Sequence, residues 1–508
     1  MPRQDPARGR LITESAPQHP HPWRVFAATS TGVVAVFVSM SGLTVALPTL
    51  TRELGASAAQ ATWILLGYMV VTTALILVFG RLSDIVGRRP LYLCGLVVFT
   101  VATALCVFSP TAGWLIAARV LQGIGAAAVV TNNTSLLTDT FAPHLLGRAL
   151  GSNATVAAVA QVLGPVVGGA ATAVFGWRGL FLAVLPVAAA ATVASLAVIP
   201  RMRPPASRRE PFDVTGAILS CVLLTLVVLA LTPGLTTAPW APWAFWTAAA
   251  VTAAAFVVVQ VRRRHPLVDL SLFRSRGIAL VLLAALLIAV ATYAVPLLIS
   301  MFAQAVDGSS PFVAGLLVTP MALGTVIAAY AAGHLVNRFT PRALSSCGMG
   351  LTAVGLLATT AALSAGGGTA VVAVALSVIG CGIGLFMTPS TSALMLSVES
   401  DRRGIANGLR STLQNVGNLL STAIVLAVLT AGLDAAARQA AYAGTPGALT
   451  TSGIEDFLDN LVVAGLVLTG IAAVGVAVCL GFPRRTSDSP RPFTTTAPHG
   501  TDRPKETA

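Results

Sequence analysis

Gly80-Arg-Leu-Ser-Asp84-Ile-Val-Gly87-Arg88-Arg89-Pro90 and Gly333-His-Leu335-Val-Asn337-Arg338-Phe-Thr-Pro-Arg342 are two versions of one segment. Gly80 matches Gly333, Leu82 matches Leu335, Asp84 matches Asn337 and Arg89 matches Arg342, at a constant offset of 253 positions. Each copy follows one apolar run and leads into the next. A second pair repeats the relation: Gly147-Arg148-Ala149-Leu-Gly151 is echoed by Arg403-Gly404-Ile-Ala-Asn-Gly408. Short charged turns that recur between apolar runs mark a chain built from two copies of one larger unit, related in parallel.

The runs themselves say what the unit is made of. Of the 508 residues, 55% are hydrophobic and 10% charged, and the mean hydropathy is +0.83. Soluble domains are about a quarter charged, so a soluble globular protein is excluded. The apolar runs cover about 25–48, 61–80, 91–109, 114–136, 149–173, 180–199, 213–233, 241–261, 277–303, 312–333, 344–364, 369–393, 405–432 and 460–482. Each is close to the roughly 20 residues that cross a bilayer as a helix. The expected fold is therefore an all-α integral membrane protein of fourteen spans. Spans 1–6 (24–200) and 9–14 (277–483) form two six-helix halves, and residues 201–276 hold two inserted helices with their linkers. Residues 1–23 and 484–508, rich in Pro, Arg, Ser and Thr, are expected to be disordered tails.

Orientation follows from charge. The net charge is +13. Of the 31 Lys and Arg, 26 fall in the tails and even-numbered connections and three (Arg52, Arg178, Arg438) in the odd ones. Such a bias places both termini in the cytoplasm. Run 1 is too long for a cleavable signal peptide and leads through Pro48 and a charged loop into another span, so it is read as an uncleaved first span. Thirty arginines to one lysine suggest a GC-rich bacterial coding sequence, and hence the bacterial cytoplasmic membrane. Nucleic acid is not an expected partner, because no recognition motif accompanies the charge. The six cysteines lie in apolar runs without CxxC spacing, and the six histidines lie in tails or near span ends. No metal or cofactor is expected. No GxxxxGK[ST] stretch and no connection longer than about 30 residues is present, which leaves no room for a nucleotide-driven motor.

Three motifs carry a resemblance. Gly80–Arg89 matches GxLaDrxGrkxxl, Arg119-Val-Leu-Gln122-Gly123-Ile-Gly125 matches RxxQGxGaa, and Gly164-Pro165-Val-Val-Gly168-Gly169 matches gxxxGPxxGG. With them, residues 25–482 resemble the major facilitator superfamily, in its fourteen-helix drug:proton antiporter branch (EmrB/QacA type). The resemblance implies a conformational latch at Asp84, Arg88 and Arg89, and a role for Arg119 in proton coupling. It also implies export rather than import, through the span-5 motif. A monomer is expected.

The residues support readings of their own. Gly80 and Gly87 suit a tight turn or a close helix approach, and Asp84 is the one acid available to Arg81, Arg88 and Arg89. These arginines also fit topology alone. Arg119 lies inside a span, where a charge costs about 2.5–3.5 kcal/mol on insertion scales. Gln122 is one turn on, and Asn133 falls on the same face. The arginine either snorkels to the headgroups or works with these groups; the motif favours work. Gly164 and Gly168 form a small-xxx-small face for helix contact, and Pro165 removes a backbone donor. Asn407, Arg410, Ser411, Gln414, Asn415 and Asn418 make a polar stripe on span 13, facing either a cavity or a neighbouring helix. Met40, Tyr68, Asn153, Gln161, Tyr293, Gln304, Tyr330 and Met387 complete the candidate lining of a mixed pocket.

One position departs from the branch. Its members commonly carry an acid in span 1, in a stretch like LDxTIVNVALP; here the stretch is Ser39-Met40-Ser41-Gly42-Leu43-Thr44-Val45-Ala46-Leu47-Pro48. Ser39 stands where the acid would be, and no Asp or Glu lies near the middle of any span. The expected cargo is then neutral or anionic, with any coupling proton on Asp84, Asp139 or a network around Arg119. The function expected is proton-driven efflux of small lipophilic compounds. Alternatives are a dedicated metabolite or siderophore exporter, an uncoupled facilitator and, from other classes, a non-transporting receptor or a membrane enzyme.

Overall fold

Inside a bilayer a backbone has no water to bond, so an apolar run satisfies its own N–H and C=O groups as a helix. The computed structural model follows that rule. It describes residues 21–199, 213–231, 240–263, 273–336, 338–398, 403–445 and 451–482. The first half comprises α1 (Pro22–Glu53), α2 (Ala58–Val86), α3 (Arg88–Val107), α4 (Ala112–Thr140), α5 (Pro143–Phe175) and α6 (Arg178–Val198). The inserted pair is α7 (Val214–Leu231) and α8 (Ala241–Arg262). The second half comprises α9 (Arg276–Thr292), α10 (Val295–Ala305), α11 (Pro311–Leu335), α12 (Pro341–Ser364), α13 (Thr369–Ser397), α14 (Arg403–Leu429), α15 (Ala435–Ala443) and α16 (Thr451–Leu480). Among the described residues, fourteen helical segments are long and apolar enough to span a membrane.

The repeat seen in the sequence is visible in the packing. In the first half α1 packs on α5 and α6, α3 on α4 and α6, and α2 on α4. In the second half α9 packs on α14 and α16, α12 on α13 and α16, and α11 on α13. These are the same five pairings. Between the halves, α5 meets α11 along one seam and α2 meets α14 along the other. α7 and α8 pack on each other, and α7 leans on α2 and α14.

Four details differ from the sequence reading. The second connection is not an eleven-residue loop: α2 continues through Val86, and Gly87 alone turns the chain into α3 with φ +100°. Gly87 therefore needs glycine's freedom. Gly80 does not, since it is helical and a Cβ there would meet only the Thr131 methyl at 3.5 Å. The ninth span is broken at Tyr293–Ala294, just ahead of Pro296. The connection after α14 carries a short helix, α15, capped by Asp434 and ended by Gly444 at φ +56°. α1 begins at Pro22, so the end of the expected first tail belongs to a helix. The rest of both tails lies outside the described residues.

One end of the bundle is closed. We call the end that carries Pro22 and Phe482 proximal and the other distal. The largest apolar cluster is shared by the halves, joining Leu43, Leu47, Leu65 and Tyr68 to Tyr293, Leu297, Leu426 and Tyr442. A small cluster of Val45, Ala303 and Ala314 also joins them, whereas two others each lie within one half. Leu137, Phe141 and Ala149 pack together in the first half, and Ile278, Leu282, Met349, Phe386 and Leu394 in the second.

Candidate functional site

The stretch Ser39–Gly42 of α1 is where the site is built. On one side it receives Arg119 from α4, a side chain with 0% of its surface exposed. Its Nη1 donates to Ser39 Oγ at 3.3 Å and to Gln122 Oε1 at 2.5 Å, and its Nε donates to the Ile64 carbonyl at 3.3 Å. The guanidinium lies 4.1 Å over the Tyr68 ring, a cation–π contact of about 2 kcal/mol when desolvated. Gln122 passes the network on, donating to Thr103 Oγ1 at 2.8 Å. Gly123 lets α4 approach, since a Cβ there would sit 2.8 Å from the Tyr68 carbonyl. Gly125 does the same against α3, where a Cβ would sit 2.5 Å from the Phe99 nitrogen. Tyr293, at the break in the ninth span, lies within electrostatic reach of both Arg119 and Tyr68. Its buried hydroxyl has no hydrogen-bond partner among the described residues.

The same turn of α1 receives α5. Gly164 and Gly168 pack against it: a Cβ on Gly164 would strike Ser41 Oγ, and one on Gly168 would strike the Gly42 carbonyl. The third motif glycine faces the other way. A Cβ on Gly169 would sit 2.5 Å from the Pro311 carbonyl oxygen and 3.1 Å from Gly315 Cα, both on α11. In return a Cβ on Gly315 would sit 2.7 Å from the Pro165 carbonyl oxygen. The motif thus holds α5 to its own half with two glycines and to the opposite half with one. A path of direct contacts runs from Arg119 through Ser39–Gly42 and α5 to the seam.

The rest of the distal closure is polar. Gln304 Nε2 donates to the Val45 carbonyl at 3.0 Å. Thr62 and Tyr442 share a hydrogen bond of 2.7 Å, and Gln439 donates to the Ala56 carbonyl at 2.7 Å. Burial pushes the Tyr442 phenol up to about 12, so it stays a neutral hydrogen-bonding group at ordinary pH.

This arrangement of motifs has known counterparts. Residues 29–422 match the family model of the Major Facilitator Superfamily. The chain belongs to the major facilitator superfamily. It is 31% identical over 419 residues to the Multidrug resistance protein Stp of Mycobacterium tuberculosis, covering 80% of this chain and 76% of that one. It is 32% identical over 417 residues to the Methylenomycin A resistance protein of Streptomyces coelicolor, covering 79% and 84%. A solved bacterial homologue of the human lysosomal transporter Spinster shares the fold with a TM-score of 0.61 at 16% identity, covering 92% of this chain and 98% of that one. The protein is thus a multi-pass membrane transporter of this superfamily and not an enzyme.

Other residues singled out in the facilitator sequence fall into place or out of it. Arg88 pairs with Asp139 and donates to the Ser135 carbonyl, while Arg89 donates to the Ile199 carbonyl at 2.9 Å. Both contacts stay within the first half. In this conformation Arg88 and Arg89 bond the ends of α4 and α6, which belong to their own half. The side chain of Asp84, and Asn337 in the second copy, lie outside the described residues. Asn133 donates to Asn153 at 2.7 Å, leaving its own oxygen buried and unpartnered. Asn415 is buried and bonds the Ser411 carbonyl of its own helix, and Asn418 is buried beside it on α14. Gln414 and Gln161 are half-buried, and Met40 is buried in the shared cluster. Met387 packs against the second half's own apolar cluster. Tyr330 does not join the group. It is 75% exposed and shares an apolar helix face with Leu323 and Ile327, so it stands on the outside of the bundle.

Sequence reasoning missed Ser39 as the neighbour of Arg119, and α15 as part of the distal closure. The signal for α15 was present, as Asp434 and Gly444 are ordinary start and stop residues. No residue pattern reports that Ser39 and Arg119 touch.

Proposed function

We propose that this protein exports small, largely apolar compounds across the bacterial cytoplasmic membrane, driven by the proton gradient, with both termini in the cytoplasm. The two halves rock about the site, opening it to one side at a time. The observation that carries this reading is the path from Arg119 through Ser39–Gly42 to the Gly169–Gly315 seam. A change of contacts at a buried charge is thereby tied to the surface on which the halves part. The distal seal consists of a glycine contact, a few hydrogen bonds and shared packing, each replaceable by water or lipid when the halves separate. The names of the relatives point to efflux: one is a multidrug resistance protein and the other confers resistance to methylenomycin A. The positive-inside bias supports reading the closed distal end as the outer face, and on that reading the conformation opens toward the cytoplasm, where cargo is collected. The site lining is Tyr68, Tyr293, Asn133, Asn153 and the stripe on α14.

The test is ΔpH-driven transport in inverted vesicles, with a panel of lipophilic compounds and a pH-sensitive dye. Substrate-induced proton release that disappears in Arg119→Ala supports antiport. A second reading, an uncoupled facilitator, is favoured by one observation: Ser39, not a carboxylate, faces Arg119. Substrate movement without a proton signal would establish it.

A further inference from the structure

The charges buried in the spans are one-sided. Among the described residues two guanidinium groups are buried there, Arg119 on α4 and Arg410 on α14. The ion pairs among the described residues lie elsewhere: Arg88 with Asp139, and Arg263 with Asp213 in the inserted hairpin. Asp213 also accepts from the Gly216 N–H and the Gln260 amide. Neither buried arginine has a carboxylate partner among the described residues.

The two arginines differ in one respect. Arg119 has neutral acceptors in Ser39, Gln122 and the Ile64 carbonyl. Arg410 is 6% exposed, and its enclosed Nε has no acceptor among the described residues. A buried charge without an opposite partner is strongly destabilising, because its desolvation is left uncompensated. A chain that retains such a charge gains from a partner that is not part of the fold.

The position of Arg410 suits such a partner. α14 lies at the α2 seam and packs on α9. Gly417 and Ser421, on the same helix face by the 3.6-residue period, touch the ninth span: Gly417 makes room for the Leu286 carbonyl, and Ser421 Oγ accepts the Ala294 N–H. On the other side of Arg410 begins the half-buried part of the polar stripe, Asn407, Ser411 and Gln414. The guanidinium stands at the border between packed helix and polar face, in the proximal part of the bundle where the halves have separate clusters.

We infer that the cargo carries a delocalised negative charge, as a lipophilic carboxylate does, and that Arg410 receives it. A guanidinium fork matches two carboxylate oxygens, and its weak hydration suits a partly apolar site. A cationic compound finds no carboxylate near the middle of the described spans, since Glu53, Asp139, Glu455, Asp456 and Asp459 all stand at span ends. The inference rests on the export reading and narrows it to a substrate class.

The test uses the full chain in inverted vesicles with three fluorophores of matched size: an anionic fluorescein, a neutral dye and a cationic rhodamine. The wild type moves the anion in preference to the cation. Arg410→Gln lowers the ratio of anion to neutral-dye transport by about tenfold or more, and Arg410→Lys restores part of it. The wild-type ranking needs no variant, so a poorly folding Arg410→Gln leaves the test intact. Equal transport of cation and anion overturns the inference, as does an unchanged ratio in folded Arg410→Gln. Neutral-dye transport that requires chloride and loses that requirement in Arg410→Gln also overturns it, assigning the group to an inorganic anion. Transport of none of the three dyes overturns the export reading itself.

Discussion

Gly169→Ala isolates the seam from the fold. The added Cβ would lie 2.5 Å from the Pro311 carbonyl oxygen and 3.1 Å from Gly315 Cα. Neither neighbour is a flexible side-chain tip, so α5 and α11 must separate by several tenths of an ångström. Overpacking of this kind costs about 1–3 kcal/mol. The cost falls on the distally closed conformation alone, because α11 belongs to the other half and moves away when that end opens. At about 1.4 kcal/mol per factor of ten, the ratio of open to closed rises by roughly fivefold to 150-fold. The assay is labelling of Gln439→Cys by a membrane-impermeant maleimide in intact cells, with the six native cysteines replaced by alanine. Labelling in Gly169→Ala accelerates within that range, and Gly315→Ala acts in the same direction. Gly164→Ala is the control: its clash is with Ser41 of its own half, so it lowers the melting temperature without exposing the seam. Folded Gly169→Ala with unchanged labelling would refute the assignment of this contact to the distal closure.

Ser39→Asp sets a carboxylate beside Arg119, where a charged hydrogen bond is worth about 1.5–3 kcal/mol; the detergent-solubilised protein melts a few degrees higher, and substrate-induced proton release increases. A lower melting temperature would contradict the contact. Tyr442→Phe removes the bond to Thr62, worth about 1 kcal/mol, and speeds distal maleimide labelling severalfold without the loss of expression that a core defect causes. Arg88→Gln breaks an ion pair in which both partners are partly solvated, so thermal stability changes by less than about 1 kcal/mol; a drop in transport rate at unchanged stability marks a conformational role. Gly216→Ala drives a methyl into Asp213 and Gln260, which lowers the melting temperature while the KM for an exported dye stays within about twofold of wild type.

The spans were legible because their signal is composition over about 20 residues, which no tertiary context overrides. The pairing of the halves was legible because both copies of the turn motif are short and charged. Arg119 with Gln122 was legible too, since three residues along one helix fix their proximity. The remainder depends on contacts between helices, which have no local signature. Tyr330 and Tyr293 look alike in the sequence, each an aromatic in an apolar run. One faces outward and the other is buried near Arg119, and only the rotation of α11 and the break before α10 separate them. The arginines of the first turn found Asp139 and Ile199 because α4 and α6 end beside them, which spacing along the chain does not encode.

The inserted hairpin leaves the two flanks of the molecule unlike each other. α7 leans on α2 and α14 and shields that meeting line from the acyl chains. α5 and α11 meet along the opposite flank, where α11 presents Leu323 and Ile327 to the hydrocarbon. The leaflet therefore meets a covered seam on one side and an uncovered one on the other, the latter formed by the two helices that carry Gly169 and Gly315. On the export reading, any entry from lipid, added to collection from the cytoplasm, would be directional around the circumference of the protein, and a neighbour docked on that flank would block it without touching the site.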